Sequence, residues 1–489
     1  MSDLNAELFK GFESLTFDDL LVVPGWSEVL PSEVSTATSI GSIKLEVPFL
    51  SAAMDTVTEA PLAISLAREG GLGILHRNLS IEEQAKEVDR VKRAQAGMIT
   101  SPVSLRPDAT LGEAEELMSH HKISGVPITD TSGKLVGILT NRDIRFCEES
   151  QYSMLVSEFM TDKDLVTAPV GTSIPEAIDI LHKHRIEKLP LVDDQFVLKG
   201  LITVKDVRKR IEKPQASLDP EGRLRVGAAI GVVDAIDRAE ALISAGVDIL
   251  VVDTAHGHSR GVVDTISNVK AKWPEVAIIG GNVVTREGVE SLLEAGADAI
   301  KVGVGAGSIC TTRIVSGAGM PQMSAIYECS VAAKQSNIPI IADGGIVSSG
   351  DIVKAFVAGA DAVMLGNTLA GADEAPGDLE LIDGAMWKTY RGMGSSGAMR
   401  GRAADRYATA ASSKPVHGKH VPEGIEGRVR YAGSLGELVG QLVGGLRSGM
   451  GYAGAANIGD LQNSTRLTKI TGSGLRESHP HDVQAIRDE

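Results

Sequence analysis

The chain is 489 residues long, too long for one compact core, so two or more domains are expected. A net charge of −16 argues against general nucleic-acid binding, and three cysteines without CxxC spacing (Cys147, Cys310, Cys329) argue against a zinc ribbon or a secreted disulfide scaffold. No basic-then-apolar leader opens the sequence and no run nears the roughly 20 apolar residues of a membrane span, so a cytoplasmic protein without membrane or nucleic-acid partners is expected.

The first predicted elements are two short apolar strands, VPFLSAAM (47–54) and GLGILHR (71–77). An internal repeat follows. Pro127 and Pro190, Asp130 and Asp193, Gly137 and Gly200, and Asp143 and Asp206 all stand 63 residues apart, as do Glu113-Ala114 and Glu176-Ala177. Each copy reads as a helix capped by Thr110 or Ser173, then strand, turn, strand and a second helix. A unit this small buries little apolar surface alone, so the copies, about 97–150 and 155–213, should pack as a pseudo-symmetric pair. The segments GVPITD…GILTNRDIR and KLPLVDD…GLITVKDVR resemble cystathionine-β-synthase-type (CBS) modules. That resemblance implies an adenine or guanine nucleotide as ligand, with Thr140–Asp143 and Thr203–Asp206 near its ribose. The alternative is that Asp143 and Asp206 only cap their helices.

Six more strands follow the repeat: 225–231, 248–254, 276–282, 299–305, 338–345 and 362–367, most trailed by a helical stretch such as REGVESLLEAGA. Eight buried strands alternating with helices predict a (β/α)8 TIM barrel made of residues 1–94 and 214–489, with the repeat pair (95–213) inserted after the second unit. Chemistry in such barrels sits at the C-terminal strand ends. Here these carry Met54-Asp55, Asp253-Thr254, Asn282, Gly303–Gly307, Asp343–Gly345 and Gly366-Asn367. The glycines ending strands seven and eight suit a phosphate, and the helix start at Ser348-Ser349 adds a favourable dipole.

Strand six runs into GVGAGSICTTR. A lone cysteine is usually a small core residue, but Cys310 falls at the catalytic end beside Ser308, Thr311, Thr312 and Arg313. A nucleophilic thiol is the better reading, and a nearby arginine would raise its thiolate fraction. Cys147 and Cys329 fall in predicted helices and read as ordinary packing residues. Residues 388–430 hold nine Lys/Arg against three Asp/Glu and little periodicity, which suits a mobile basic flap over a phosphorylated substrate.

The ordered set SAAMDTV, DTAHGHS, GVGAGSICTTRIVSGAGMPQ, IIADGGI, YRGMGS, ADRY and VPEGIEGR is similar to the inosine-monophosphate (IMP) dehydrogenase family over essentially the whole chain. The resemblance implies that Cys310 attacks carbon 2 of IMP, that hydride passes to NAD, and that water then hydrolyses a covalent thioimidate to xanthosine monophosphate (XMP). It implies Arg406 with Tyr407 as the water-activating pair and Thr312 as a proton relay; arginine is an unusual base because its pKa exceeds 12. IMP phosphate would meet Ser308, Gly344, Gly345, Gly366, Asn367 and Tyr390, with Asp343 on the ribose. Ala52, Met54, Arg391, Gly392, Met393, Gly394 and Glu423 would complete the substrate site. Asp253, Thr254, Ala255, Asn282, Gly303, Val304 and Gly305 would hold NAD. Potassium is implied on Gly305, Gly307 and Cys310, completed by Glu477, Ser478 and His479 of a neighbouring subunit in a homotetramer, with octamers open.

Three positions depart from the family's common pattern: Ala306, Asn367 and Ser396. The nearest rival is guanosine-monophosphate (GMP) reductase, expected to share the barrel and cysteine loop but to lack the repeat pair and the Arg-Tyr motif. A flavin-mononucleotide barrel oxidoreductase would also suit ADGG and MLGN, and a non-enzymatic nucleotide sensor would leave the strand ends unexplained.

Overall fold

A computed structural model describes residues 13–94, 102–121, 123–400 and 421–483. Eight strands form a closed parallel barrel: β1 (Phe49–Ser51), β2 (Leu72–Leu75), β3 (Val226–Ile230), β4 (Ile249–Asp253), β5 (Ala277–Val283), β6 (Ala299–Val302), β7 (Ile340–Asp343) and β8 (Ala362–Leu365). Closure comes from β8 pairing back onto β1, Met364 against Leu50. These are the eight strands the sequence predicts, mostly shorter at their C-terminal ends. β6 stops at Val302 because Gly303 turns to φ +147°, which no side-chain-bearing residue adopts readily.

Side chains alternate across each strand, so every second residue points into the barrel. Leu50, Ile74, Ala229, Val251, Ile279, Ala299 and Ile341 fill the interior as one apolar cluster. Two residues further on, the same inward register reaches Asp253, Lys301 and Asp343. The barrel is therefore greasy in its lower layers and charged at its C-terminal mouth.

The opposite end is held by a repeated turn. Ala-Gly-x-Asp precedes β4, β6 and β8, placing Asp248, Asp298 and Asp361 just before their strands. Each carboxylate accepts a backbone N–H at the start of a neighbouring strand: Val226 N to Asp248 (2.8 Å), Ile278 N to Asp298 (2.7 Å) and Ile340 N to Asp361 (2.8 Å). Lys92 and Lys270 pair with the first two at 2.6 and 2.7 Å.

The chain folds into two compact units, the second spanning Arg93–Pro214 and Leu218–Arg223. In that unit Thr110 and Ser173 accept the N–H of Glu113 and Glu176, and the two glutamates reach back to the cap N–H groups. The copies have separate apolar cores built from equivalent positions: Ala114, Val126 and Leu139 in one, Ala177, Leu189 and Ile202 in the other. Their hairpins meet through reciprocal hydrogen bonds, Leu135 N to Phe196 O and Leu198 N to Gly133 O, both 3.0 Å. Each bond maps onto the other when residue numbers shift by the repeat spacing, as a pseudo-two-fold pair requires. Asp143 accepts from Thr140 N (2.6 Å) and Oγ1 (2.7 Å), so it caps its helix; Asp206 lies outside the side chains the structure describes. Cys147 follows the short helix Asn141–Ile144 and packs on the first core, whereas Cys329 is buried in the helix Gln322–Lys334.

The basic segment is less irregular than its sequence suggests. β9 (Leu379–Ile382), β10 (Ala385–Arg391) and β11 (Glu426–Arg430) form an antiparallel sheet in that order, so both ends of 388–430 are strands. The period-2 signal is hidden because the inward positions of β10 are Lys388 and Tyr390. Lys388 is 2 % exposed, and its ammonium donates to the carbonyls of Ala372 (2.8 Å) and Ala375 (2.6 Å). Residues 401–420, with Arg406 and Tyr407, lie outside the described residues. No helix among the described residues is long and apolar enough to cross a membrane.

Candidate active site

A cavity of about 330 Å³ opens at the C-terminal mouth of the barrel. Its floor rests on Lys301, which is 1 % exposed and which sequence reasoning missed. The Lys301 ammonium donates to Asp253 Oδ1 (3.1 Å), Asp343 Oδ2 (2.6 Å) and Asn282 Oδ1. Asn282 Nδ2 donates in turn to Asp343 Oδ2 (2.9 Å) and the Gly303 carbonyl (2.7 Å). Gln322 Nε2 donates to the carbonyls of Val302 (2.9 Å) and Asp343 (3.1 Å), tying the ends of β6 and β7 together. The overlooked signal was a single lysine in an otherwise apolar strand, AIKV, between strands that end in Asn282 and Asp343.

The cysteine loop is held from both sides. Cys310 N donates to Gly307 O (3.1 Å), Thr311 N to Glu423 O (2.9 Å), and Ile425 N to Ile309 O (3.1 Å). This pins the loop against residues 423–425, immediately before β11. The half-buried Cys310 thiol donates to Thr312 Oγ1 (3.1 Å) and faces Glu423 O at 3.8 Å. Arg313 does not serve the thiol as expected. Its guanidinium donates to the carbonyls of Val304 and Met320, bracing the loop from behind. Ala306 also lines the cavity, packed beside Gly344.

On the side expected to hold phosphate, Ser308, Gly344, Gly345, Gly366, Asn367 and Tyr390 all line the cavity. Gly344 and Gly345 have φ of +99° and +82°, a conformation that leaves their backbone uncovered by side chains. The helix dipole contributes less than expected. Asp351 accepts from Val347 N (3.1 Å), Ser348 N (3.0 Å) and Ser348 Oγ (2.9 Å), so the start of the helix Ser349–Val357 already carries its own anion. Burial pushes the Tyr390 phenol up to about 12, with hydrogen bonding to Ser308 pulling the other way. A neutral hydroxyl donor thus stands at this end.

Ala52, Met54, Gly392, Met393, Gly394 and Glu423 line the remaining substrate side, with Met54, Met393 and Ala398 in one apolar patch. Arg391 does not join them. Its guanidinium is occupied by Asp55, at 2.6 Å from Nη2 and 3.1 Å from Nε, which raises its pKa and anchors β10 to the loop after β1. Ser396 begins a four-residue helix capped by Ser395, away from the cavity lining.

Thr254, Ala255, Asn282, Gly303, Val304 and Gly305 line the side expected to hold NAD. Asp253 does not line the cavity, because Lys301 holds its carboxylate below the floor. A Cβ at Gly303 would lie 2.1 Å from the Asp343 carbonyl oxygen, so this wall must be bare backbone. Of the residues expected around a cation, Gly305, Gly307 and Cys310 share the loop. Glu477, Ser478 and His479 lie at the end of the helix Gly472–Glu477, are exposed, and do not line the cavity.

The sequence model of the IMP dehydrogenase / GMP reductase domain matches residues 14–481. The chain belongs to this family. It is 58 % identical over 479 residues to the inosine-5'-monophosphate dehydrogenase of Aquifex aeolicus, and 54 % identical over 480 residues to that of Bacillus subtilis, covering 97 % of each chain in both cases. Among solved structures, a cysteine-to-alanine variant of GMP reductase from Trypanosoma brucei, in complex with guanosine 5'-monophosphate, superposes with a TM-score of 0.89. It shares 43 % identity and covers 98 % of this chain and 100 % of its own. Coverage that complete includes the repeat pair, so within this family the repeat does not separate reductase from dehydrogenase, contrary to expectation.

Proposed function

We propose that this chain oxidises IMP to XMP through a covalent bond to Cys310. The observation that carries the proposal is the Cys310 thiol, bonded to Thr312 at the mouth of a cavity with a glycine-walled side and a neutral phenol donor. Relatives of 52–58 % identity named inosine-5'-monophosphate dehydrogenase favour oxidation over reduction of GMP.

On this reading, Ser308, Gly345, Gly366, Asn367 and Tyr390 bind the phosphate, and Asp343 accepts from the ribose hydroxyls. The Cys310 thiol gives up its proton on the Thr312 side, its sulfur adds to carbon 2 of the hypoxanthine ring, and that carbon loses hydride, leaving a thioimidate. NAD, when bound, supplies the hydride acceptor; Thr254, Ala255 and Gly303–Gly305 form the wall that would hold it, and the lack of room for a side chain at Gly303 suits a flat ring. Water then adds at carbon 2 and the Cys310 sulfur departs as a thiol. Thr312 relays a proton, and Arg406 with Tyr407 activates the water.

Potassium fits the loop carbonyls of Gly305, Gly307 and Cys310, since hard monovalent cations favour neutral oxygen donors. A neighbouring subunit's 477–479 segment in a homotetramer would complete that shell. The repeat pair is read as a CBS module binding an adenine or guanine nucleotide, and the protein as cytoplasmic.

The test is NADH absorbance with IMP, NAD⁺ and potassium, set against consumption of reduced cofactor with GMP. Steady NADH formation from IMP supports the reading. Turnover of GMP alone refutes it in favour of the reductase.

A further inference from the structure

We propose that Lys301 is a positioning residue for the purine nucleotide: its buried ammonium fixes the Asp343 carboxylate so that one oxygen is presented to the ribose, and links it to Asp253 and Asn282 on the cofactor side. The inference rests on the assignment of Asp343 to the ribose made above.

Lys301 occupies the inward register of β6, one layer above Ala299, where an apolar residue would continue the packing of Ile341 and Met364. Space is made for it from across the sheet. Gly281, its register partner on β5, has no side chain, and a Cβ there would lie 2.7 Å from Lys301 Cβ. A charge at 1 % exposure persists only where opposite charge compensates it. Here Asp253 and Asp343 supply that compensation from two different strands. The ammonium therefore ties the two carboxylates to each other across the mouth of the barrel.

The geometry of Asp343 gives the unit a direction. Oδ2 takes both Lys301 (2.6 Å) and Asn282 (2.9 Å), its carbonyl takes Gln322 (3.1 Å), and the residue lines the cavity. Among the described residues no donor meets Oδ1, so that oxygen is left for a ligand hydroxyl. Lys301 does not line the cavity and acts through its carboxylate partner.

The test is IMP binding by calorimetry, without NAD, on the full chain and on Lys301→Met, Lys301→Arg, Asp343→Asn and the Lys301→Met/Asp343→Asn double variant. Loss of one charge-assisted hydrogen bond corresponds to a 10- to 100-fold weaker dissociation constant, as an order of magnitude, for Lys301→Met. Lys301→Arg keeps the charge and should recover most of that loss. The double variant should bind no more weakly than the weaker single variant, because Lys301 acts through Asp343. A purely structural lysine would give losses that multiply. Where Lys301→Met does not fold, Lys301→Gln runs the same cycle.

Multiplying losses, or Lys301→Met binding within about threefold of the parent, overturns the inference. A parent chain that binds IMP but forms no NADH refutes the oxidation reading while the cycle still decides Lys301. A parent chain that does not bind IMP overturns both.

Discussion

Replacing Gly303 by alanine should damage both stability and turnover, by amounts the structure sets. An added Cβ would sit 2.1 Å from the Asp343 carbonyl oxygen, where ordinary contact begins at 3.4 Å, and 3.0–3.1 Å from the Gln322 amide. Backbone cannot swing aside as a side chain can, so the ends of β6 and β7 must part by about 1 Å, a small-to-large overpacking that costs about 1–3 kcal/mol. The φ of +147° adds about 1–3 kcal/mol of strain for any residue with a side chain. The opening falls across the Lys301–Asp343 contact (2.6 Å) and the Asn282–Gly303 carbonyl bond (2.7 Å), displacing the carboxylate expected at the ribose. A displacement of about 1 Å costs on the order of 100-fold in rate. The assay pairs kcat/KM for IMP with the urea midpoint. Gly303→Ala within about threefold of the parent, with an unchanged midpoint, would refute the reasoning.

Gly444→Ala is the contrasting case: it lies inside the helix Leu435–Ala453 with nothing within 4 Å of an added Cβ, and should raise stability by about 0.5–1 kcal/mol in urea unfolding. Tyr390 predicts a loss of stability in alkali. Its folded value of about 12 lies above the ordinary 10.0, so the neutral phenol's contribution is complete below pH 10 and lost as pH rises towards 12, by up to about 2–3 kcal/mol. Tyr390→Phe should flatten that slope in urea unfolding and remove a late component from the phenolate absorbance titration; an unchanged slope contradicts the burial argument. Arg406→Ala should release one NADH per subunit in a burst and then stall, whereas normal steady turnover would exclude it from hydrolysis.

The barrel was legible because its eight strands are short, mostly apolar runs, most of them followed by a glycine, a carboxylate or a carboxamide at the C-terminal end. The cysteine loop was legible for the same reason, since its position after β6 fixed which end of the barrel it occupied. What escaped were features that depend on partners distant in sequence. Lys301 looks like a blemish in an apolar strand until Asp253 and Asp343 are beside it. Arg391 looks like part of the substrate site until Asp55 takes its guanidinium, and β10 looks like loop because Lys388 points inward to backbone carbonyls. Asp351 likewise fills a helix start that seemed open to phosphate.

The most direct test of the covalent mechanism is to mix the protein with IMP and NAD⁺, quench in acid, and locate the bound purine by peptide mass. The account predicts a nucleotide adduct on the peptide carrying Cys310, formed with a burst of NADH, and neither signal from Cys310→Ala. An adduct on another residue, or NADH formed at the parent rate by Cys310→Ala, would contradict it.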